Sequence, residues 1–277
     1  MTVKKLVSLL ALTYACGILS ALVGQVAEAS PVSLEEIDRL LAEERYEDAN
    51  PLLQDQLPSL EESQNWPDLA HVYLWLGECA YVLADYRAAL DYTQAAESIV
   101  VDQMNSNDFP EFGMLLQNLG VFYSRAGDFD QQMISYQRHF DYTIATKGRD
   151  SKEGADAFYN LGMAYLRRNQ WDKTQAFIDT SLQISETLAY DTGIGDALNI
   201  LSTCYANKGD YAQAASVQRQ ALKYDLGAYN YSVKLNNLAE YQLNLAQYAA
   251  AQRNFERAIE AGPNNWGPRL NLIRLFR

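Results

Sequence analysis

Three asparagines in this 277-residue chain stand immediately before leucines that hold equivalent places in three well-separated stretches: Asn118 before Leu119, Asn160 before Leu161 and Asn237 before Leu238. Asn271 repeats the arrangement before Leu272, while Asn199 and Asn236 stand one residue earlier on the same ruler. A carboxamide carries both a donor and an acceptor, the pairing that a peptide backbone amide seeks. One such bond contributes only about 0.5–1.5 kcal/mol net, so recognition by this chemistry needs several in register. The same side chains serve equally to tie one structural unit to the next, and the sequence leaves both uses open.

Other chemistry is sparse. Gly-rich phosphate loops, Cys-x-x-Cys pairs, His-Glu-x-x-His and calcium-loop spacings are absent from the sequence, and no serine has the flanking glycines of a nucleophile elbow. Of the two histidines, His71 lies near the start of a helix without an obvious nucleophile or ligand partner. His139 replaces a small residue at a helix contact and reads as a packed, satisfied side chain. The expectation is a chain with no catalytic residues, no cofactor and no dedicated metal site. Scattered carboxylates able to hold a hard cation keep a metal-handling assembly factor for a membrane complex as the competing reading.

The elements that position the asparagines follow from a ruler running through the chain. Leu76, Leu119, Leu161, Leu201 and Leu238 are each followed ten residues later by an aromatic: Tyr86, Phe129, Trp171, Tyr211 and Tyr248. Small or polar residues recur thirteen and twenty after each leucine, for example Ala89 and Ala96, or Gln132 and His139. Fixed offsets within a unit and variable distances between units are the mark of a structural repeat. Gly127, Asn169 and Gly209 suit the left-handed end of a helix, and Asp128 and Asp210 suit the cap of the next. The unit is therefore two antiparallel helices joined by a tight turn.

Leu119-Gly120-Val121-Phe122-Tyr123 and Leu161-Gly162-Met163-Ala164-Tyr165, with closing Pro263, resemble the tetratricopeptide repeat. The spacing is longer than the common 34 residues, and Leu235-Asn236-Asn237-Leu238-Ala239 is similar to the long-period variety of kinesin light chains. The resemblance implies an all-α fold: an α-solenoid, a right-handed superhelix of about six helical hairpins and a C-terminal capping helix. The units fall at about 33–60, 66–100, 110–146, 153–188, 193–225 and 230–262, with the cap over 264–277, in one solenoid spanning 30–277. Ser33 and Glu36 read as a capping box opening the first unit. The stretches Asn105–Pro110, Lys147–Gly154, Asp191–Asp196 and Gly227–Asn230 read as loops between units. In the cap, Leu270 and Leu272 are expected inward and Asn271, Arg274 and Arg277 outward.

Lys4 and Lys5, an apolar run from Leu6 to about Val23, and Ala27-Glu28-Ala29 have the layout of a signal peptide over residues 1–29. An uncleaved membrane anchor is the alternative, and the only route to membrane contact. Either way the array is expected outside the cytoplasm, periplasmic or secreted. Cys79 and Cys204 sit at equivalent places three units apart, roughly 30 Å, beyond the reach of a disulfide, and read as buried core residues. A net charge of −13 argues against nucleic acid and anionic lipid as partners. The early acidic run (Glu35, Glu36, Asp38, Glu43, Glu44, Glu47, Asp48) reads as a solvated face.

In the resembled family the first helix of each pair lines a concave groove that accepts an extended partner. Carried onto this chain, the groove residues are Trp75, Glu78, Asn118, Tyr159, Asn160, Met163, Asn199, Asn236, Asn237 and Glu240, with Arg125 and Arg167 at the rim. Leu74 and Leu243 are expected as further apolar pockets. The resemblance implies a non-catalytic scaffold gripping a protein or peptide partner by its main chain.

Overall fold

The computed structural model describes residues 33–224 and 227–275, without the side chains of Ala228 and Tyr229. The leader expected over 1–29 lies outside the described residues, as does Arg277. The described chain is helical, with no strand. The pairs are α1 (Leu34–Ala42) with α2 (Tyr46–Ser63), α3 (Trp66–Val82) with α4 (Tyr86–Gln103), and α5 (Phe112–Ala126) with α6 (Phe129–Lys147). They continue with α7 (Lys152–Arg167) and α8 (Trp171–Thr187), α9 (Asp191–Asn207) and α10 (Tyr211–Ala221), and α11 (Ala228–Asn244) and α12 (Tyr248–Ala261). A single helix, α13 (Trp266–Leu275), closes the stack. Each helix packs on the next in chain order, which makes the array a solenoid.

One turn is built six times. The residue eight after each repeat leucine adopts positive φ: Ala84, Gly127, Asn169, Gly209 and Ala246, with Glu44 in the same place before α2. The next residue's N–H then reaches back to a carbonyl five residues earlier, as in Asp128 to Tyr123 at 2.9 Å and Asp210 to Tyr205 at 3.0 Å. This is a Schellman closure, which satisfies a carbonyl left orphaned at the helix end. The aromatic of the ruler is the first residue of the second helix in every unit, and Asp85, Asp128 and Asp210 cap those helices through their carboxylates. Ser33 caps α1 by accepting from Glu36 N at 3.3 Å, but the Glu36 carboxylate pairs with Arg39, so the reciprocal arm of the expected box is replaced by an ion pair.

The core forms where helices approach most closely. All five repeat leucines are buried, and the residue after each packs with the side chain seventeen beyond the leucine. A Cβ on Gly120 would lie 2.2 Å from the Tyr136 ring. Cys79 and Cys204 are buried free thiols.

Three expectations are corrected. Asp191–Asp196 belongs to α9, because Gly193 and Gly195 serve close approach to Ser185, Tyr190 and Tyr224 rather than a turn. Likewise α11 begins at Ala228, inside the expected loop Gly227–Asn230. In α13, Leu270 is 64% exposed, whereas Asn271 turns inward to donate to Asn236 at 3.0 Å and Glu240 at 2.5 Å. Leu272 does pack on the core of the last pair.

α6 breaks the small-residue rule. Where other second helices carry Ala, Thr or Ser, it carries Gln132 and His139, two turns apart on one face and both buried. From α3 onward, first helices of successive units touch, as α3 does α5, α7 does α9 and α9 does α11, but α5 and α7 scarcely meet. Long side chains stand where the rest of the stack closes on small ones.

Two outcomes follow from this architecture. Ala84 and Ala246 hold φ of 64° and 56°, at which a Cβ is strained, so Ala84→Gly and Ala246→Gly are each expected to stabilise the fold by about 0.5–1 kcal/mol in urea unfolding, with Gly127→Ala acting oppositely. Burial pushes the His139 imidazole from 6.5 down to about 4. The unfolded chain takes up that proton near pH 6.5 and the folded one resists it, so stability falls as pH drops through this window. Unfolding at pH 7 and 4.5 should shift in favour of His139→Gln over the unaltered protein by about 2–3 kcal/mol. Asp156, which burial raises to about 6, acts with the opposite sign but is present in both proteins and cancels.

Candidate functional site

The gap between α5 and α7 is a trough with α6 as its floor. At one end a cavity of about 460 Å3 is lined by Val121, Ser124 and Arg125 of α5, Phe129, Gln132 and Tyr136 of α6, and Tyr159, Asn160, Met163 and Arg167 of α7. At the other end a cavity of about 320 Å3 is lined by Pro110, Gly113, Met114 and Gln117, by His139, Tyr142, Thr143 and Lys147 of α6, and by Glu153 and Asp156 of α7. On each helix the lining residues of the two cavities are about one turn apart, so the cavities lie end to end.

Three buried polar atoms in this trough have no hydrogen-bond partner: Gln132 Oε1, His139 Nδ1 and Asn160 Nδ2. The residues are only 3%, 5% and 7% exposed, so solvent does not satisfy them cheaply. An unmade bond on a buried polar group costs about 1–3 kcal/mol, and native folds carry few. His139 is thus packed, as expected, but not satisfied. The Asn160 donor and the Gln132 acceptor together offer what one peptide amide needs.

The trough is also charged. Arg125 is held by Tyr81, whose hydroxyl accepts from Nε at 3.3 Å and Nη2 at 3.2 Å, and its guanidinium lies over the Tyr81 and Tyr86 rings. Arg167 is exposed at the rim and forms no ion pair among the described residues. Burial pushes the Tyr159 phenol up, and holds Tyr136 at about 12 despite its hydrogen bond with Gln132, so both remain neutral hydroxyls. Burial likewise raises Asp156, against a hydrogen bond from Tyr190 at 3.4 Å.

The residues expected to line one continuous groove separate into groups. Arg125, Tyr159, Asn160, Met163 and Arg167 meet in the first cavity. Asn118 lies half-buried on α5 outside that lining. Trp75 and Glu78 lie on α3, with Trp75 packed on the core of the first unit; Trp75 Nε1 and Glu78 Oε2 are buried without partners, and burial raises the Glu78 carboxyl. The remaining carboxamides are engaged within the array. Asn237 donates to Asn199 at 3.2 Å, Gln218 donates to the same Asn199 oxygen at 3.0 Å, and Asn236 and Glu240 accept from Asn271. With Asp196–Lys234 at 3.6 Å and Thr203 against the Tyr241 hydroxyl at 3.4 Å, α9 and α11 are zipped along their length. Asn199, Asn236, Asn237 and Glu240 therefore tie units together instead of lining an open groove. Leu74 is fully buried, and Leu243 packs on the last pair's core.

Gln132, Tyr136 and Asp156 were not among the expected site residues. Gln132 carried a usable signal, a long polar side chain at a place the repeat keeps small. Among the described residues, no three His, Cys, Asp or Glu side chains gather as a metal site, and no helix is long and apolar enough to cross a membrane.

Comparison with known proteins gives the fold its context. Residues 153–227 match the family described as Tetratricopeptide repeat. No curated protein matches the chain. Among solved structures, NprR in complex with its cognate peptide NprX is similar, with TM-score 0.68, 14% identity, and coverage of 96% of this chain and 78% of that one. The Rap conjugation gene regulator of the plasmid pLS20, in complex with the Phr* peptide, has TM-score 0.66, 15% identity, and coverage of 78% and 60%. BtubC (BKLC) from P. vanneervenii has TM-score 0.60, 16% identity, and coverage of 76% and 90%. At these identities the likeness is one of fold. Residues 153–227 thus match the tetratricopeptide-repeat family, and the described chain as a whole has a helical-solenoid fold like that of solved tetratricopeptide-repeat structures.

Proposed function

We propose that this protein is a non-catalytic, exported scaffold that takes an extended segment of a partner protein or peptide into the trough between α5 and α7. The carrying observation is the convergence of three unpartnered buried polar atoms, from Gln132, His139 and Asn160, on the trough between α5 and α7. An extended segment brings backbone donors and acceptors at a regular rise and can satisfy such atoms in turn. Two of the similar structures hold a peptide, NprX and Phr*, which supports a peptide-sized occupant here. Export rests on the charge, apolar and small-residue layout of residues 1–29.

The test separates binding from folding. Asn160→Ala removes an unsatisfied donor, so thermal stability is expected to hold or rise while partner retention falls at least tenfold. Asn237→Ala breaks the tie to Asn199, so stability should drop by about 1 kcal/mol with retention unchanged. A photo-crosslinking residue at Met163 should capture partner segments in the protein's own cells, whereas one at exposed Ile134 on α6 should not. Equal capture at both positions, or loss of retention only with Asn237→Ala, overturns the reading.

A further inference from the structure

The two ends of the trough carry opposite charge. Arg125 and Arg167 come together at one end, in a chain whose net charge is −13. Arg125 is oriented by the Tyr81 hydroxyl, and Arg167 meets no carboxylate among the described residues. An acidic chain offers many carboxylates that could have neutralised Arg167, and none among the described residues does so. Glu153, Asp156 and Lys147 line the opposite end and leave it one negative charge. Between the ends lie the unpartnered atoms of Gln132, Asn160 and His139, which make the site built rather than a chance arrangement of surface charge.

The helix sets the distance. Asp156 and Arg167 are eleven residues apart on α7, which at 1.5 Å per residue is about 16 Å. An extended peptide advances about 3.3 Å per residue and spans that length in about five residues. We propose, resting on the reading that the trough takes a peptide, that it selects a segment bearing a carboxylate at the Arg125–Arg167 end and a cationic group at the Glu153–Asp156 end, about five residues apart. Planar guanidiniums favour a carboxylate through paired N–H donors, and like charge at either end is disfavoured by the same field. The uncharged middle of the segment lies over Tyr136, Tyr159 and Met163, its backbone facing Gln132 and Asn160.

The test uses the full-length protein and pools of six-residue peptides with blocked ends, whose four central positions vary over Ala, Leu, Ser and Tyr. The outer positions are Lys with Asp in either order, Lys with Lys, Asp with Asp, or Ala with Ala; a further pool replaces Asp by a free terminal carboxyl. The mixed-charge pools are expected to be retained at least tenfold more than the like-charge and uncharged ones. The free-carboxyl pool tells whether a chain terminus substitutes for an acidic side chain. Arg167→Glu, at an exposed position, should bring the mixed pools down to the uncharged level and raise retention of the Lys–Lys pool. Retention of all pools alike, abolished by Asn160→Ala, overturns the charge selection and leaves the peptide reading standing. Retention of none overturns both, and an unchanged pool ranking in Arg167→Glu overturns the charge selection alone.

Discussion

A helical hairpin buries one face within itself and has to find the next hairpin for the other, so everything here depends on how closely successive units can approach. How closely helices approach, within a hairpin and between hairpins, depends on a few small residues. Ala89 and Ala96, Thr174 and Ser181, Ala214 and Ala221, and Ala251 and Ala258 are all buried, and each lets backbones come together where a longer side chain would not fit. α6 departs from this with Gln132 and His139, and the stack opens at the same unit. A local change in side-chain length is thereby converted into a trough without any break in the helices or their turns.

The polar groups on either side of that opening show two uses of one chemistry. Between α9 and α11 the carboxamides of Asn199, Asn237 and Gln218, the Asp196–Lys234 ion pair and the Tyr241 hydroxyl are mutually engaged. Each contributes modestly, but as a buried network they fix the relative placement of the last units. Between α5 and α7 equivalent groups face a gap and remain unengaged. The asparagine immediately before the repeat leucine is thus a tie in Asn237 and a buried donor without a partner in Asn160. What differs is whether the neighbouring first helix is close enough to answer.

This explains how much was legible in the sequence. The turn was readable because its requirement is local: a residue eight after the leucine in the left-handed region, an aspartate or its equivalent next, an aromatic opening the second helix. The repeat leucines and small residues were readable because their spacing follows the helical period. The fates of Asn160 and Asn237 were not, since they depend on inter-helix distances that no local pattern encodes. Asp191–Asp196 was misread because two glycines signal either a turn or a close approach, and only the positions of Ser185, Tyr190 and Tyr224 decide between them. Leu270 and Asn271 exchanged their expected roles because the Asn236–Glu240 pair offers the last helix a polar partner that outweighs one more buried leucine. Gln132 was visible as a departure from the repeat, but its consequence required the opposing wall.

Leaving Gln132, His139 and Asn160 unsatisfied at the α5–α7 junction has an energetic consequence. Each buried polar atom without a partner costs about 1–3 kcal/mol, a large part of the margin on which a fold survives. In a solenoid, stability is close to a sum over units and their interfaces, so a deficit at the α5–α7 junction lowers that interface while the zipped junctions at α9–α11 and α11–α13 keep theirs. A segment that satisfied Gln132, His139 and Asn160 would return the lost bonds to that interface, and by mass action would stabilise the folded state in proportion to its affinity. On the proposed reading, binding a segment and completing the polar contacts of this junction are one event, resting on the same three side chains.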